Sequence, residues 1–166
     1  MTANGPRRVV IPGYCKPTPR IFGIRDTSGS MSATDEAIAT REVERIAKKM
    51  GIKGDDFMIM DVDATVQSIK KYKGRNTLRA VHGRGGTSMT VGIEAIWSMK
   101  DNLPDVIVVL TDGGTDWPAE EGPVPVVAAI IPQGNGTYAE RYAENVPDWI
   151  HTIVVEPAED PAPVAA

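Results

Sequence analysis

The chain has 166 residues, enough for one domain with a sizeable hydrophobic core. Hydrophobic residues make up 42% and charged residues 24%, the proportions of an ordinary globular protein. The net charge of −4 and the lack of a clustered basic face argue against a nucleic-acid surface. No apolar run approaches the roughly 20 residues that span a membrane, so no membrane partner is expected. Cys15 has no internal disulfide partner and no signal-like stretch begins the chain, so we expect a cytoplasmic protein.

Composition divides the chain into three parts. Residues 1–19 contain four prolines and several basic side chains, which predicts an extended strap rather than a helix. Residues 20–156 carry the apolar segments of one folded domain, and residues 157–166 are rich in proline and alanine, which is typical of a disordered tail. The sequence leaves open whether the chain is a complete gene product or half of a split two-domain protein.

Apolar runs and helical stripes alternate along residues 20–156. In chain order they predict a strand at 21–25, a helix at 34–50, a hairpin of strands at 57–62 and 64–69, a helix after 88, strands at 105–110 and 124–131, a short helix at 137–145 and a strand at 150–155. This alternation predicts an α/β fold, a Rossmann-like three-layer sandwich. Its central sheet is mostly parallel with one antiparallel edge strand, and helices cover both faces.

Two details of the predicted elements can be checked against a structure. In the second helix, spacing predicts that Val91, Ala95, Ile96 and Met99 face inward, and that Pro104 ends the helix. In the hairpin, the turn is expected near Asp63.

Three polar loops are expected to meet at one end of the sheet. Residues 26–30, Asp-Thr-Ser-Gly-Ser, lie between the first strand and a helix start marked by Ser32 and Asp35. Residues 83–88, a glycine-rich stretch, and residues 111–114 are the other two loops. Open α/β sheets bind ligands in the crevice beyond the carboxyl ends of their strands, and carboxylate and hydroxyl oxygens suit Mg²⁺. The competing interpretation is that these serines only cap a helix and that Asp112 only shapes a turn.

Taken together, the segments DTSGSM, GGTS and LTDG resemble the metal-ion-dependent adhesion site (MIDAS) of von Willebrand factor A (VWA) domains. The resemblance extends from about residue 20 to residue 156. The stretches RRVVIPGYCKPTPRIFGI, GRGGTSM and TDGGTDWP are similar to the VWA-like domain at the C-terminal end of bacterial metallopeptidase-type proteins. The resemblance implies that Ser28, Ser30 and Thr87 contact Mg²⁺ directly, while Asp26 and Asp112 hold it through water. Mn²⁺ or Ca²⁺ would be alternative cations.

The resemblance also implies a function. It predicts a Mg²⁺-dependent protein–protein interaction module without catalysis, in which an Asp or Glu of a partner protein completes the metal coordination. By analogy with the family, the partner is expected to be an AAA-type ATPase or a metallopeptidase-like chain.

Four residues beside the motif need separate interpretation. Arg25 stands where the family usually has an apolar residue, and it is expected to reach the sheet edge, pair with a carboxylate or weaken metal binding. Ser88 stands where related sequences often have Asp, and Asp116 either compensates from the rim or, as we favour, caps a helix. Trp117 is expected either on the rim of the metal face or in the core.

An enzyme is the alternative reading of the hairpin. Asp61, Asp63 and Thr65 are similar to the D-x-D-x-T loop of haloacid-dehalogenase-type phosphatases, which use Mg²⁺. Asp61 would be the nucleophile and Asp63 the general acid and base. That motif usually follows the first strand of its fold, and the sequence offers no second acidic pair, so the interaction module is preferred.

Overall fold

A central sheet organises the part of the chain that the computed structural model describes, which comprises residues 18–52, 54–74, 77, 85–133 and 142–155. Residues 1–17 of the predicted strap, most of the short helix at 137–145 and the tail lie outside these residues. The strands are β1 (Ile21–Asp26), β2 (Gly54–Val62), β3 (Val66–Tyr72), β4 (Val106–Thr111), β5 (Val126–Ile130) and β6 (His151–Val154). They form one sheet in the order β3-β2-β1-β4-β5-β6.

The pairing of these strands confirms the predicted fold class. β3 pairs antiparallel with β2 at one edge, and every other pair in the sheet is parallel. The chain moves from β1 outward to β2, then crosses back to β4 on the other side of β1. This reversal of direction opens a crevice at the carboxyl ends of β1 and β4, where ligands bind in such folds.

Two helices cover opposite faces of the sheet. Successive residues of a strand point to opposite sides, so each face presents apolar side chains that a helix can cover. The helix α1 (Ala33–Met50) buries Ala39, Val43 and Ala47 against one face. The helix α2 (Met89–Trp97) buries Met89, Ile93 and Ile96 against the other. Neither of these described helices has the length and apolar character needed to cross a membrane.

The start of α1 is fixed as its sequence predicts. Ser32 and Asp35 form a reciprocal capping box, in which the Ser32 amide donates to Asp35 Oδ2 at 2.9 Å and the Asp35 amide donates to Ser32 Oγ at 3.2 Å. Gly51 ends the helix in the left-handed region, with φ of 68°. The loop that carries Ser28 and Ser30 is therefore held between a strand and a well-capped helix.

The prediction for the inner face of α2 was partly wrong. The buried side is formed by Met89, Gly92, Ile93 and Ile96, whereas Val91 is 38% exposed. The helix ends at Trp97, well before Pro104. The side of α2 that carries Gly92 lies very close to β2. A Cβ atom at residue 92 would be only 2.9 Å from Val62 Cγ2, so glycine is needed for this close packing.

Candidate metal centre

The three polar loops predicted from the sequence meet at the crevice between β1 and β4. Asp26 is the last residue of β1, Asp112 directly follows β4, and Thr87 lies two residues before α2. The first two loops are joined by the backbone, since the Gly29 amide donates to the Gly85 carbonyl at 3.2 Å. The topology therefore brings the predicted residues to one end of the sheet.

Asp26 is fully buried at the base of the crevice. Its Oδ1 accepts a hydrogen bond from the Ser28 amide at 2.9 Å, and its Oδ2 accepts one from Thr111 Oγ1 at 2.5 Å. Burial raises the pKa of Asp26 above its ordinary value of 3.8, and the nearby charge of Asp112 adds to the rise, although these hydrogen bonds oppose it. A cation in the crevice would relieve this cost of burying a charge.

Ser28 and Ser30 present their hydroxyls side by side. Ser28 Oγ and Ser30 Oγ share a hydrogen bond of 3.0 Å, with Ser28 buried and Ser30 exposed at the mouth of the crevice. Adjacent oxygens in an octahedron with Mg–O bonds of 2.0–2.1 Å are about 2.9 Å apart. The spacing of these two hydroxyls therefore suits neighbouring positions around a Mg²⁺ ion.

Asp112 is held in place by Gln133, a residue that the sequence reasoning missed. Asp112 Oδ1 accepts from the Gly114 amide at 2.9 Å, and Asp112 Oδ2 accepts from Gln133 Nε2 at 2.7 Å. The same Gln133 nitrogen donates to the Ser30 carbonyl at 2.9 Å. Gln133 thus ties the first loop to the third, and the available signal was a polar side chain just beyond the carboxyl end of β5.

Thr87 is half-buried in the second loop, and Asp63 of the β2–β3 turn anchors that loop. The Gly85 amide donates to Asp63 Oδ2 at 3.1 Å, and the Ser88 amide donates to the Asp63 carbonyl at 3.0 Å. These bonds fix the backbone on both sides of Thr87. The turn itself lies where the sequence predicts it.

The rim of the crevice differs from the prediction at Asp116. Residues 112–125, all of which the structure describes, contain no helix, so the expected helix cap at Asp116 is wrong. Prolines at 118, 123 and 125 remove the amide donors that a helix would need. Instead, exposed Asp116 accepts a hydrogen bond from Ser88 Oγ at 3.1 Å, which links the second and third loops.

Trp117 packs against the core on the α2 side of the sheet, in agreement with the core alternative. Its side chain is half-buried. It follows Asp116 along the connection to β5, and its contact with the core means that it is not a fully exposed aromatic anchor on the metal face.

Arg25 pairs with a carboxylate, which is one of the three outcomes expected for it. The side chain is buried and contacts Asp61 Oδ1 through Nη2 at 2.7 Å and through Nε at 2.8 Å. Its Nη1 donates to Thr40 Oγ1 of α1 at 3.4 Å. Because strand residues alternate, Arg25 and Asp61 lie on the α1 face of the sheet, opposite to Asp26.

The two carboxylates of the phosphatase alternative, Asp61 and Asp63, make different contacts. Asp61 is buried in the ion pair with Arg25, accepts from Ser68 Oγ at 2.9 Å, and lies 3.7 Å from Lys70 Nζ. Asp63 Oδ1 accepts from the Thr65 amide at 2.9 Å within the turn. The two side chains therefore have separate sets of contacts.

The donor set of the crevice fits a hard divalent cation. It consists of two carboxylates and three hydroxyls, all oxygen, which is the chemistry that Mg²⁺ prefers. The division into hydroxyls that contact the ion directly and carboxylates that act through water is what the resemblance to adhesion sites implies.

Comparison with known proteins identifies the fold family. The family model of the VWA-like domain (DUF2201) matches residues 21–156. No curated protein matches the chain at a significant level. One similar solved structure is proximal thread matrix protein 1 from the mussel byssus, with 14% identity, a TM-score of 0.53, and coverage of 69% of this chain and 36% of that chain. Identity this low shows a shared fold alone. The chain belongs to the VWA-like domain (DUF2201) family, whose fold indicates a protein-interaction module.

Proposed function

We propose that this chain binds a partner protein through a Mg²⁺ ion in the crevice between β1 and β4. The observation that carries the proposal is the pair of hydroxyls, Ser28 Oγ and Ser30 Oγ, which lie 3.0 Å apart at the position where doubly wound sheets bind ligands. Backbone contact with Gly85 and the Gln133 bridge to Asp112 bring the other proposed ligands to the same place.

In this proposal Ser28, Ser30 and Thr87 contact the metal, while Asp26 and Asp112 act from the outer shell. When bound, the ion supplies a strong positive charge that neutral hydroxyl ligands leave largely uncompensated. Mg²⁺ keeps several waters in protein sites, and one of these positions is open to a ligand from outside. Mn²⁺ and Ca²⁺ are the alternative cations.

The N-terminus of α2, which has no acidic residue in its first turn, favours an anionic partner group, whereas that of α1 already carries Asp35 and Glu36. α1 begins at Ala33, three residues after Ser30, and α2 begins at Met89, two residues after Thr87. The N-terminus of a helix carries a partial positive charge that stabilises nearby anions. An Asp or Glu side chain of the partner is therefore the proposed completing ligand.

The wider setting of the module is proposed by analogy. An AAA-type ATPase or a metallopeptidase-like chain is the proposed partner, in the cytoplasm, and this chain is proposed to bind rather than catalyse. A phosphomonoesterase activity that disappears in Asp61→Asn but persists in Ser30→Ala would overturn the proposal that the chain does not catalyse.

The direct test is capture of a partner from the native host with the immobilised full chain. Capture is carried out in Mg²⁺ and in EDTA, and with Asp112→Ala. The matched control is Asp55→Asn, which alters an exposed carboxylate paired with Lys71 at the opposite end of the sheet. The proposal expects capture by wild type and by the control in Mg²⁺ only, and none by Asp112→Ala.

The carboxylate is tested on the captured protein. Substitution of its interface Asp or Glu by the corresponding amide should abolish binding, because a neutral amide is a weaker ligand for a hard cation. Capture that survives both EDTA and Asp112→Ala would refute the proposed function.

A further inference from the structure

We propose that Asp63 is a positioning residue for metal binding, acting on the ion only through the loop that carries Thr87. This inference rests on the proposed function. Asp63 belongs to the turn between β2 and β3, outside the three loops that define the adhesion-site motif. The antiparallel edge hairpin thus has a role in the metal site.

The contacts of Asp63 bracket Thr87. The carboxylate oxygen Oδ2 accepts from the Gly85 amide at 3.1 Å, two residues before Thr87, and the backbone carbonyl accepts from the Ser88 amide at 3.0 Å, one residue after it. Asp63 is only 5% exposed. A hydrogen bond to a buried carboxylate is stronger than one between neutral groups, so this contact is well suited to hold a short loop.

The carboxylate is itself held rigidly by the hairpin. Its Oδ1 accepts from the Thr65 amide at 2.9 Å and from Gln67 Nε2 at 2.8 Å. The Asp63 amide donates to the Thr65 carbonyl at 3.1 Å. A rigid support matters because a binding site must hold its ligands within about 0.5 Å of the productive geometry.

The loop needs such an anchor. Gly85 and Gly86 are both exposed, and consecutive glycines lose more conformational freedom on ordering than other residues. The approach of the loop to Asp63 is close, since a Cβ atom at Gly85 would lie 3.0 Å from Asp63 Oδ2. The hairpin therefore holds the loop on one side, and the first loop holds it on the other through Gly29. These contacts fix the position of Thr87 in the crevice.

The test measures Mg²⁺ affinity of the full chain by calorimetry. Asp63→Asn is isosteric: one oxygen still serves Thr65 and Gln67, while the amide nitrogen opposes the Gly85 donor. We expect Mg²⁺ to bind about 10-fold more weakly, as for outer-shell changes at other metal sites. Asp55→Asn is the matched control, because it makes the same carboxylate-to-amide change at an exposed residue at the opposite end of the sheet, so its affinity should stay close to wild type.

A double-mutant cycle separates positioning from general damage. If Asp63 acts only through Thr87, Asp63→Asn should cause no further loss of affinity in a Thr87→Ala background. Additive losses would overturn the inference. Gly85→Ala is a second variant: its new Cβ would lie 3.0 Å from Asp63 Oδ2, so it crowds the same contact and should also weaken Mg²⁺ binding.

A metal-free measurement completes the experiment. In EDTA, Asp63→Asn should speed amide hydrogen exchange at Gly85 and Ser88, whereas Asp55→Asn should not. Unchanged exchange, or wild-type Mg²⁺ affinity in Asp63→Asn, would overturn the inference while leaving the proposed function intact. If the wild-type chain binds no Mg²⁺ at all, the proposed function fails, and the inference fails with it.

Discussion

At the scale of single residues, the site depends on a buried carboxylate that is costly to ionise without a cation. Asp26 is fully buried, and its pKa is raised above 3.8, chiefly by burial. In the folded metal-free protein it therefore holds its proton more tightly than in the unfolded chain. As the pH rises through the interval between these two pKa values, the stabilising contribution of the protonated side chain is lost.

This linkage predicts the behaviour of Asp26→Asn in EDTA. The free energy of unfolding of wild type, relative to that of the variant, should fall as the pH rises from about 3.8 upward, because only wild type must ionise a buried group. Urea unfolding at a series of pH values measures this difference. Parallel pH profiles for the two proteins would contradict the assignment.

The ion pair of Arg25 and Asp61 gives a second prediction at this scale. Arg25→Met leaves the buried Asp61 carboxylate with weaker compensation, which should destabilise the domain by about 3–5 kcal/mol. Chemical denaturation measures the loss, and the double variant Arg25→Met, Asp61→Leu should recover most of it. A loss below about 1 kcal/mol would mean that the pair behaves as a solvated surface bridge.

The sequence points to some of these residues and hides others, for a physical reason. Asp26, Ser28 and Ser30 lie within one turn, so their proximity follows from chain connectivity. Asp63 and Gln133 act on residues 22 and 21 positions away, respectively. Their contacts depend on which loops the sheet brings together, and a single sequence carries no local signal for that.

At the scale of elements, tertiary packing decides which face of α2 is buried, because the periodic pattern of so short a helix does not. Its nine residues are mostly apolar, and more than one stripe fits a helical period. The observed face is the one that places Gly92 against β2. By contrast, α1 has a longer amphipathic pattern with a capping box and a glycine stop, so its limits were predicted to within one residue.

The close approach at Gly92 predicts the effect of adding one methyl group. In Gly92→Ala the new Cβ would lie 2.9 Å from Val62 Cγ2 and 3.3 Å from Ile24 Cδ1. Overpacking typically costs about 1–3 kcal/mol, which should exceed the gain of about 1 kcal/mol in helix propensity. We expect a lower free energy of unfolding. The matched control is Gly86→Ala, where the new Cβ would lie 3.8 Å from Ala64 Cβ, an ordinary contact in an exposed loop. A variant more stable than wild type would show that α2 can move away from β2.

At the scale of the whole molecule, the order of the strands determines where the site is. The alternation of apolar segments predicts a mostly parallel sheet with an antiparallel edge, and the structure confirms both. The connection between β4 and β5 carries no helix within residues 112–125, because prolines interrupt it. The polar loops still converge, since their positions depend on the strand ends rather than on the helices that cover the faces.

The central claim is that this crevice binds Mg²⁺, and the most direct measurement is the stability of the full chain as Mg²⁺ is added. A ligand that binds only the folded state at about 100 times its Kd raises the free energy of unfolding by about 2.7 kcal/mol. We predict a Mg²⁺-dependent rise in Tm for wild type and for the control Ser98→Ala, whose exposed hydroxyl lies at the far end of α2. The rise should be absent in Asp26→Ala and in the double variant Ser28→Ala, Ser30→Ala. An unchanged Tm of wild type across the titration, or an equal rise in these variants, would contradict the account.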